Sequence, residues 1–128
     1  MGKIKDCLLI DDDQDDQEIF LMALQKVDAQ IKCSLANDGV EGLTVLSDHF
    51  YTPAYIFLDI NMPKMNGMEC LERIRVMDHL RGSRVVMYST SMDAAIIKQC
   101  RELGADDFLP KPPGLAPLVA SLTNILKG

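Results

Sequence analysis

The sequence has no run of about 20 consecutive apolar residues and no charged leader followed by an apolar stretch, so neither a membrane-spanning helix nor a signal peptide is expected. It has no C-x-x-C pair either. Cys7, Cys33, Cys70 and Cys100 stand far apart in apolar segments with no histidine at ligand spacing, which predicts buried free thiols in a reducing cytosol. Basic residues are the scarcer charge: 13 Lys and Arg against 19 Asp and Glu leave a formal net charge of −6. With no basic cluster to offset that balance, a nucleic-acid partner is not expected. No Gly, Ser or Pro-rich linker, internal repeat or low-complexity tract divides the chain. What is present, 128 residues at 48% hydrophobic and 25% charged, suits one compact domain over residues 1–128 with no further module.

Short apolar runs alternate with longer stretches of helical period, the pattern of repeated strand and helix units around a parallel sheet. The runs are Cys7 to Ile10, Ile31 to Ala36, Ala54 to Leu58, Val85 to Tyr88 and Asp107 to Leu109. Between them, steps of three and four mark five helices: Ile19, Met22, Ala23, Lys26 and Val27; Val40, Leu43 and Leu46; Met68, Leu71, Ile74 and Arg75; Ile96, Ile97, Cys100 and Leu103; and Leu115, Leu118, Leu122, Ile125 and Leu126. Gly104 is placed to end the fourth helix, and Pro117 falls in the first turn of the fifth. Helices must cover both faces of a parallel sheet through right-handed crossovers, which favours strand order 2-1-3-4-5. The winding then reverses between the first and third strands, and the crevice at their carboxyl ends is where such sheets bind ligands.

The residues facing that crevice are acidic: Asp11, Asp12 and Asp13 after the first strand, Asp59 after the third. Carboxylates gathered there would raise one another's pKa unless a cation joins them, and Mg²⁺ suits one or two carboxylates, a carbonyl and retained waters. Asp11 to Asp13 read equally well as a solvated loop whose last residue caps a helix. Ser89 after the fourth run and Lys111 after the fifth shift the balance, since a hydroxyl and an ammonium both serve a phosphoryl group.

Four segments together carry a resemblance: Leu8 to Asp13, Phe57 to Gly67, Val85 to Ser91 and Gly104 to Pro112, with Ser89 and Lys111 lying 30 and 52 positions after Asp59. The chain resembles the receiver domains of two-component response regulators over essentially its whole length. The resemblance implies a flavodoxin-like doubly wound α/β fold with five strands and five helices. It also implies that Asp59 takes a phosphoryl group from a phosphohistidine of a sensor kinase or phosphotransfer protein. Mg²⁺ would be held by Asp12, Asp59 and the main-chain carbonyl of Asn61, with Asp11 reaching it through water; Lys111 and Ser89 would pair with phosphoryl oxygens. Ser89 and Phe108 would then switch the face formed by helix four, strand five and helix five, where a downstream protein docks. Asn61 and Ser91 would tune the lifetime of the aspartyl phosphate, and the Lys111–Pro112 bond would be cis. Ser89 stands where Thr is commoner and Phe108 where Tyr is common. The picture is a free-standing cytoplasmic signalling domain, monomeric or a weak dimer, catalysing only its own phosphorylation and dephosphorylation.

Competing readings have less support. A haloacid-dehalogenase-type phosphatase would use Asp11 as nucleophile and Asp13 as general acid, but its lysine precedes the final acidic pair, whereas Lys111 follows Asp106 and Asp107. A calcium loop beginning at Asp11 fails because its sixth position is Asp16 and its twelfth Met22. A constitutive, never phosphorylated interaction domain would lack a site residue, and none is missing. Met22, Met68, Met77 and Met92 read as packing residues, Pro63 and Gly67 as turn formers behind the acceptor, and His49 and His79 as surface residues.

Overall fold

The computed structural model describes residues 6–90 and 92–127. Five strands, β1 (Asp6–Ile10), β2 (Lys32–Ala36), β3 (Tyr55–Leu58), β4 (Arg84–Ser89) and β5 (Asp107–Pro110), alternate with helices α1 (Gln14–Val27), α2 (Gly39–Leu46), α3 (Gly67–Arg75), α4 (Ala94–Glu102) and α5 (Leu115–Lys127). A 3-10 turn, Asp78–Leu80, lies between α3 and β4. All strand pairs are parallel, in the order β2-β1-β3-β4-β5, so the flavodoxin-like reading holds and the winding reverses between β1 and β3.

The central strands are apolar from Cys7 to Ile10, Tyr55 to Leu58 and Val85 to Tyr88 because both faces of the sheet are covered. Alternate residues go opposite ways: Leu8, Ile10, Ile56, Leu58, Val85 and Met87 meet Leu46, Leu71, Ile74 and Cys100. On the other face, Leu9, Phe57 and Tyr88 meet Phe20, Leu24, Leu118 and Leu122. Helices α1 and α5 pack against each other on this second face. Asp13, Asp38, Asn66 and Asp93 each accept the main-chain N–H groups that open α1, α2, α3 and α4, contributing about 1 kcal/mol apiece. Gly104, at φ 111°, follows the last turn of α4 as expected, and Pro117 sits in the first turn of α5.

Three expectations are corrected. The buried stripe of α1 is Gln17, Phe20, Ala23 and Leu24, and Met22 is 55% exposed. The polar Gln17 conceals the start of that stripe in the sequence, which shifts the apparent phase of the helix. Among the four cysteines, Cys33 is only half-buried, and sheet register sets it directly beside Cys7. His79 is no solvated surface residue: its Nε2 donates to the Leu46 carbonyl at 2.7 Å and its ring stacks on His49 at 4.9 Å, satisfying a carbonyl in the last turn of α2.

Far from the carboxyl ends of the strands, Arg75 ties three segments together. Its guanidinium donates to the carbonyls of Gly104 (3.0 Å) and Ser83 (3.0 Å) and to Asp106 Oδ2 (2.9 Å), which also accepts the Val85 N–H at 2.8 Å. Arg75→Ala strands these acceptors and is expected to cost about 2–3 kcal/mol in urea unfolding. A loss below about 0.5 kcal/mol, the scale of an ordinary surface substitution, would show that the brace holds nothing.

Candidate functional site

Main-chain hydrogen bonds carry the sheet one residue beyond its strands. Asp11 N–H donates to the Ala36 carbonyl at 3.1 Å, Asp59 N–H to Ile10 at 3.0 Å and Lys111 N–H to Ser89 at 2.9 Å. Backbone pairing therefore fixes the positions from which these side chains reach into the crevice. Asp11 is wholly buried, Asp59 is 5% exposed and Asp12 lies open to solvent. Carboxylate oxygens of Asp11, Asp12 and Asp59 all lie within 4.8 Å of one another.

Lys111 Nζ stands among three carboxylates: Asp16 Oδ2 at 2.8 Å, Asp11 Oδ2 at 2.9 Å and Asp59 Oδ2 at 3.4 Å. It also lies 5.1 Å from the centre of the Tyr88 ring. Burial alone would lower the pKa of this ammonium, but hydrogen bonds to Asp11 and Asp16 and the charge of Asp59 raise it, so the lysine stays charged. Asp59 is pushed up to about 6, first by burial and then by the Asp11 charge, against the pull of Lys111. Burial raises Asp11 in the same way.

All but one of the residues anticipated from the sequence lie among the described residues. Ser89 is buried at the end of β4, bonded through its carbonyl to Lys111. Asn61 is exposed, and its N–H donates to Asp59 Oδ1 at 3.4 Å. Phe108 lies away from the carboxylates on β5, half-buried, with the Arg101 guanidinium 5.2 Å from its ring centre. Ser91 lies outside the described residues. The bond from Lys111 to Pro112 is trans, contrary to expectation. Trans is the favoured isomer of such bonds by about 0.5–1 kcal/mol, and the Lys111 N–H finds its acceptor without the sharper turn.

The loop behind Asp59 also differs from its expected construction. The left-handed residue is Lys64, at φ 68°, while Gly67 needs space: a Cβ there would overlap the Asp59 carbonyl and stand 2.7 Å from Ile60 Cα. Gly67 N–H donates to the Ile60 carbonyl at 2.7 Å, drawing the start of α3 directly behind the acceptor.

The donor set is all oxygen, and the buried Asp11 Oδ2 meets the Lys111 ammonium at 2.9 Å. A hard divalent cation fits such a set, with Asp12 and Asn61 open enough to leave room for water. The arrangement suits an anionic acceptor held in line beside a fixed cation, and it does not suit the phosphatase reading. Asp13 Oδ1 accepts the N–H groups of Asp15 (2.9 Å) and Asp16 (3.1 Å), which commits it as a helix cap and not as a general acid.

Two contributors were not anticipated. Gln17 Nε2 donates to the Asp11 carbonyl at 2.6 Å and to Asn37 Oδ1 at 3.0 Å, holding the acidic loop from below. A polar residue breaking the apolar stripe of α1 is its signal. Asp16, on the first turn of α1, reaches Lys111 across 95 residues of sequence, and nothing in local spacing announces that pairing.

The family model of the response regulator receiver domain matches residues 7–123. A transcriptional regulatory protein CpxR homolog from Haemophilus influenzae is 34% identical over 122 residues, covering 94% of this chain and 49% of that relative. The chain thus spans about half the length of that relative and a smaller share of several others. Among solved structures, the Mn²⁺-bound form of response regulator Rcp1 matches with a TM-score of 0.82 at 25% identity, over 94% of this chain and 91% of that one. The phosphorylated cyanobacterial phytochrome response regulator RcpA matches with a TM-score of 0.88 at 25% identity, over 98% and 93%. Fold, strand-end chemistry and these likenesses converge, and the chain belongs to the receiver domains of response regulators, which serve two-component phosphorelay signalling.

Proposed function

We propose that Asp59 is the phosphoryl acceptor of this receiver and that Mg²⁺ is its cofactor. The observation that carries this reading is the meeting of Asp59, Asp11, Asp12 and Lys111 at one point. An Asp59 carboxylate oxygen forms a new bond to phosphorus as the phosphorus bond to a donor histidine breaks, the electron pair leaving with the imidazole. Transfer of this kind asks for alignment and charge neutralisation more than for covalent help. Asp12, Asp59 and the Asn61 carbonyl would hold Mg²⁺, with Asp11 acting through water; the ion would neutralise charge on the transferred group. Lys111 pairs with one phosphoryl oxygen and the Ser89 hydroxyl donates to another, while Asn61 sits near the water that later hydrolyses the product.

Output passes through the surface of α4, β5 and α5, where Ser89 moving inward and Phe108 swinging from its half-buried place give a partner protein a different face to meet. The phosphoryl donor is a sensor kinase or phosphotransfer protein, and the setting is the cytoplasm. Among the described residues no helix is long and apolar enough to cross a membrane.

Incubation with acetyl phosphate and Mg²⁺, followed by intact mass measurement, tests the assignment. The native chain should gain one phosphoryl group and Asp59→Asn none. Equal gain by both proteins would remove Asp59 from its role.

A further inference from the structure

Resting on the reading of Asp59 as acceptor, we propose that Asp16 is a latch on Lys111, a positioning residue that keeps the ammonium from its closest approach to the acceptor until the phosphoryl group arrives. Lys111 lies closer to Asp16 (2.8 Å) and Asp11 (2.9 Å) than to Asp59 (3.4 Å), so its charge is drawn toward the two carboxylates that do not react. Once Asp59 carries a phosphoryl group, the site gains negative charge and strong acceptor oxygens. Lys111, charged and within reach of Asp59, is the cation available to meet them. Its three N–H donors already face Asp16, Asp11 and Asp59, so a closer approach to the phosphoryl oxygens lengthens its contact with one of the first two.

The two competitors differ in what release costs them. Asp11 is fully buried, so the ammonium is a partner that bulk solvent cannot freely replace. The Asp16 side chain is 34% exposed on the first turn of α1, so it can turn to solvent and remain hydrated. The first turn of a helix also favours its negative charge when the lysine departs. Asp16 is therefore the partner that Lys111 exchanges for a phosphoryl oxygen. The exchange sits on the path to the aspartyl phosphate and slows its formation.

The test follows phosphorylation by acetyl phosphate and Mg²⁺ through intact mass against time; the new bond joins Asp59 oxygen to phosphorus while acetate leaves with the electron pair. Asp16→Asn, with Asp16→Ser as a second variant lacking the charge, should accumulate phosphorylated protein about threefold faster than the native chain. Asp16→Glu keeps the charge and should fall back near the native rate. Asp15→Asn makes the same change in net charge one residue away, on an exposed side chain, and should match the native chain. A native or slower rate for the Asn and Ser variants overturns the latch, as does equal acceleration by Asp15→Asn, which would mean that general charge is at work. Should the native chain gain no phosphoryl group, the acceptor reading itself falls and the latch with it; native uptake with no change at Asp16 removes the latch alone.

Discussion

Gly67→Ala is expected to lower stability by about 3 kcal/mol, read as a fall in the urea midpoint with an unchanged slope. An added Cβ would meet backbone, the Asp59 carbonyl and Ile60 Cα, and not the movable end of a side chain. Main chain can yield only by pulling α3 away from β3, which opens the Gly67 to Ile60 hydrogen bond and tilts the acceptor. The variant should therefore also take up phosphoryl groups more slowly than it loses stability alone would explain. Gly82→Ala is the control, because a Cβ there meets nothing within 4 Å. A Gly67→Ala protein as stable as Gly82→Ala would show that the packing behind Asp59 is loose.

The second large effect is a gain. Without a divalent ion, Asp59 binds its proton more tightly in the folded chain, at about 6, than at its ordinary value of 3.8. A folded-state pKa that is raised in this way favours the folded form most below pH 4, and the advantage disappears as pH climbs through about 6. The difference amounts to about 3 kcal/mol. Lys111, whose pKa is raised, keeps its charge throughout that window and adds no slope, whereas Asp11 shifts in the same direction as Asp59. Asp59→Asn should then be more stable than the native chain at pH 7.5 in a metal chelator and show a flatter profile between pH 4 and 6. Mg²⁺ should stabilise the native chain more than the variant. A variant less stable than the native chain at pH 7.5 would mean that Lys111 outweighs burial and the Asp11 charge together.

Much of this could be read before folding because the relevant signals are local. Strand runs buried on both faces show as unbroken apolar stretches, and the first residue after each run is fixed by the ladder that ends there. Asp11, Asp59 and Lys111 were legible for that reason. Helix caps such as Asp13 and Asp38 carry their own chemistry two or three residues away. What stayed hidden depends on distant chain or on exact phase. Gln17 disguised the stripe of α1, the partnership of Asp16 with Lys111 spans 95 residues of sequence, and the Arg75 brace gathers the Gly104 and Ser83 carbonyls and the Asp106 carboxylate from distant chain. Gly67 was seen as a turn former because sequence cannot tell a glycine chosen for its torsion angles from one chosen for its absent side chain.

The helices are not anchored equally. Helix α5 buries Leu118, Leu122 and Leu126, while on the opposite face of the sheet α4 sinks Cys100 alone, with Ile96 and Leu103 partly buried against that core. So little apolar area holds α4 that tilting or fraying it should demand only a small part of the work of global unfolding. Softness is thereby concentrated in one surface element of an otherwise stiff sheet, and a few kilocalories delivered at the carboxyl ends of the strands have somewhere inexpensive to go.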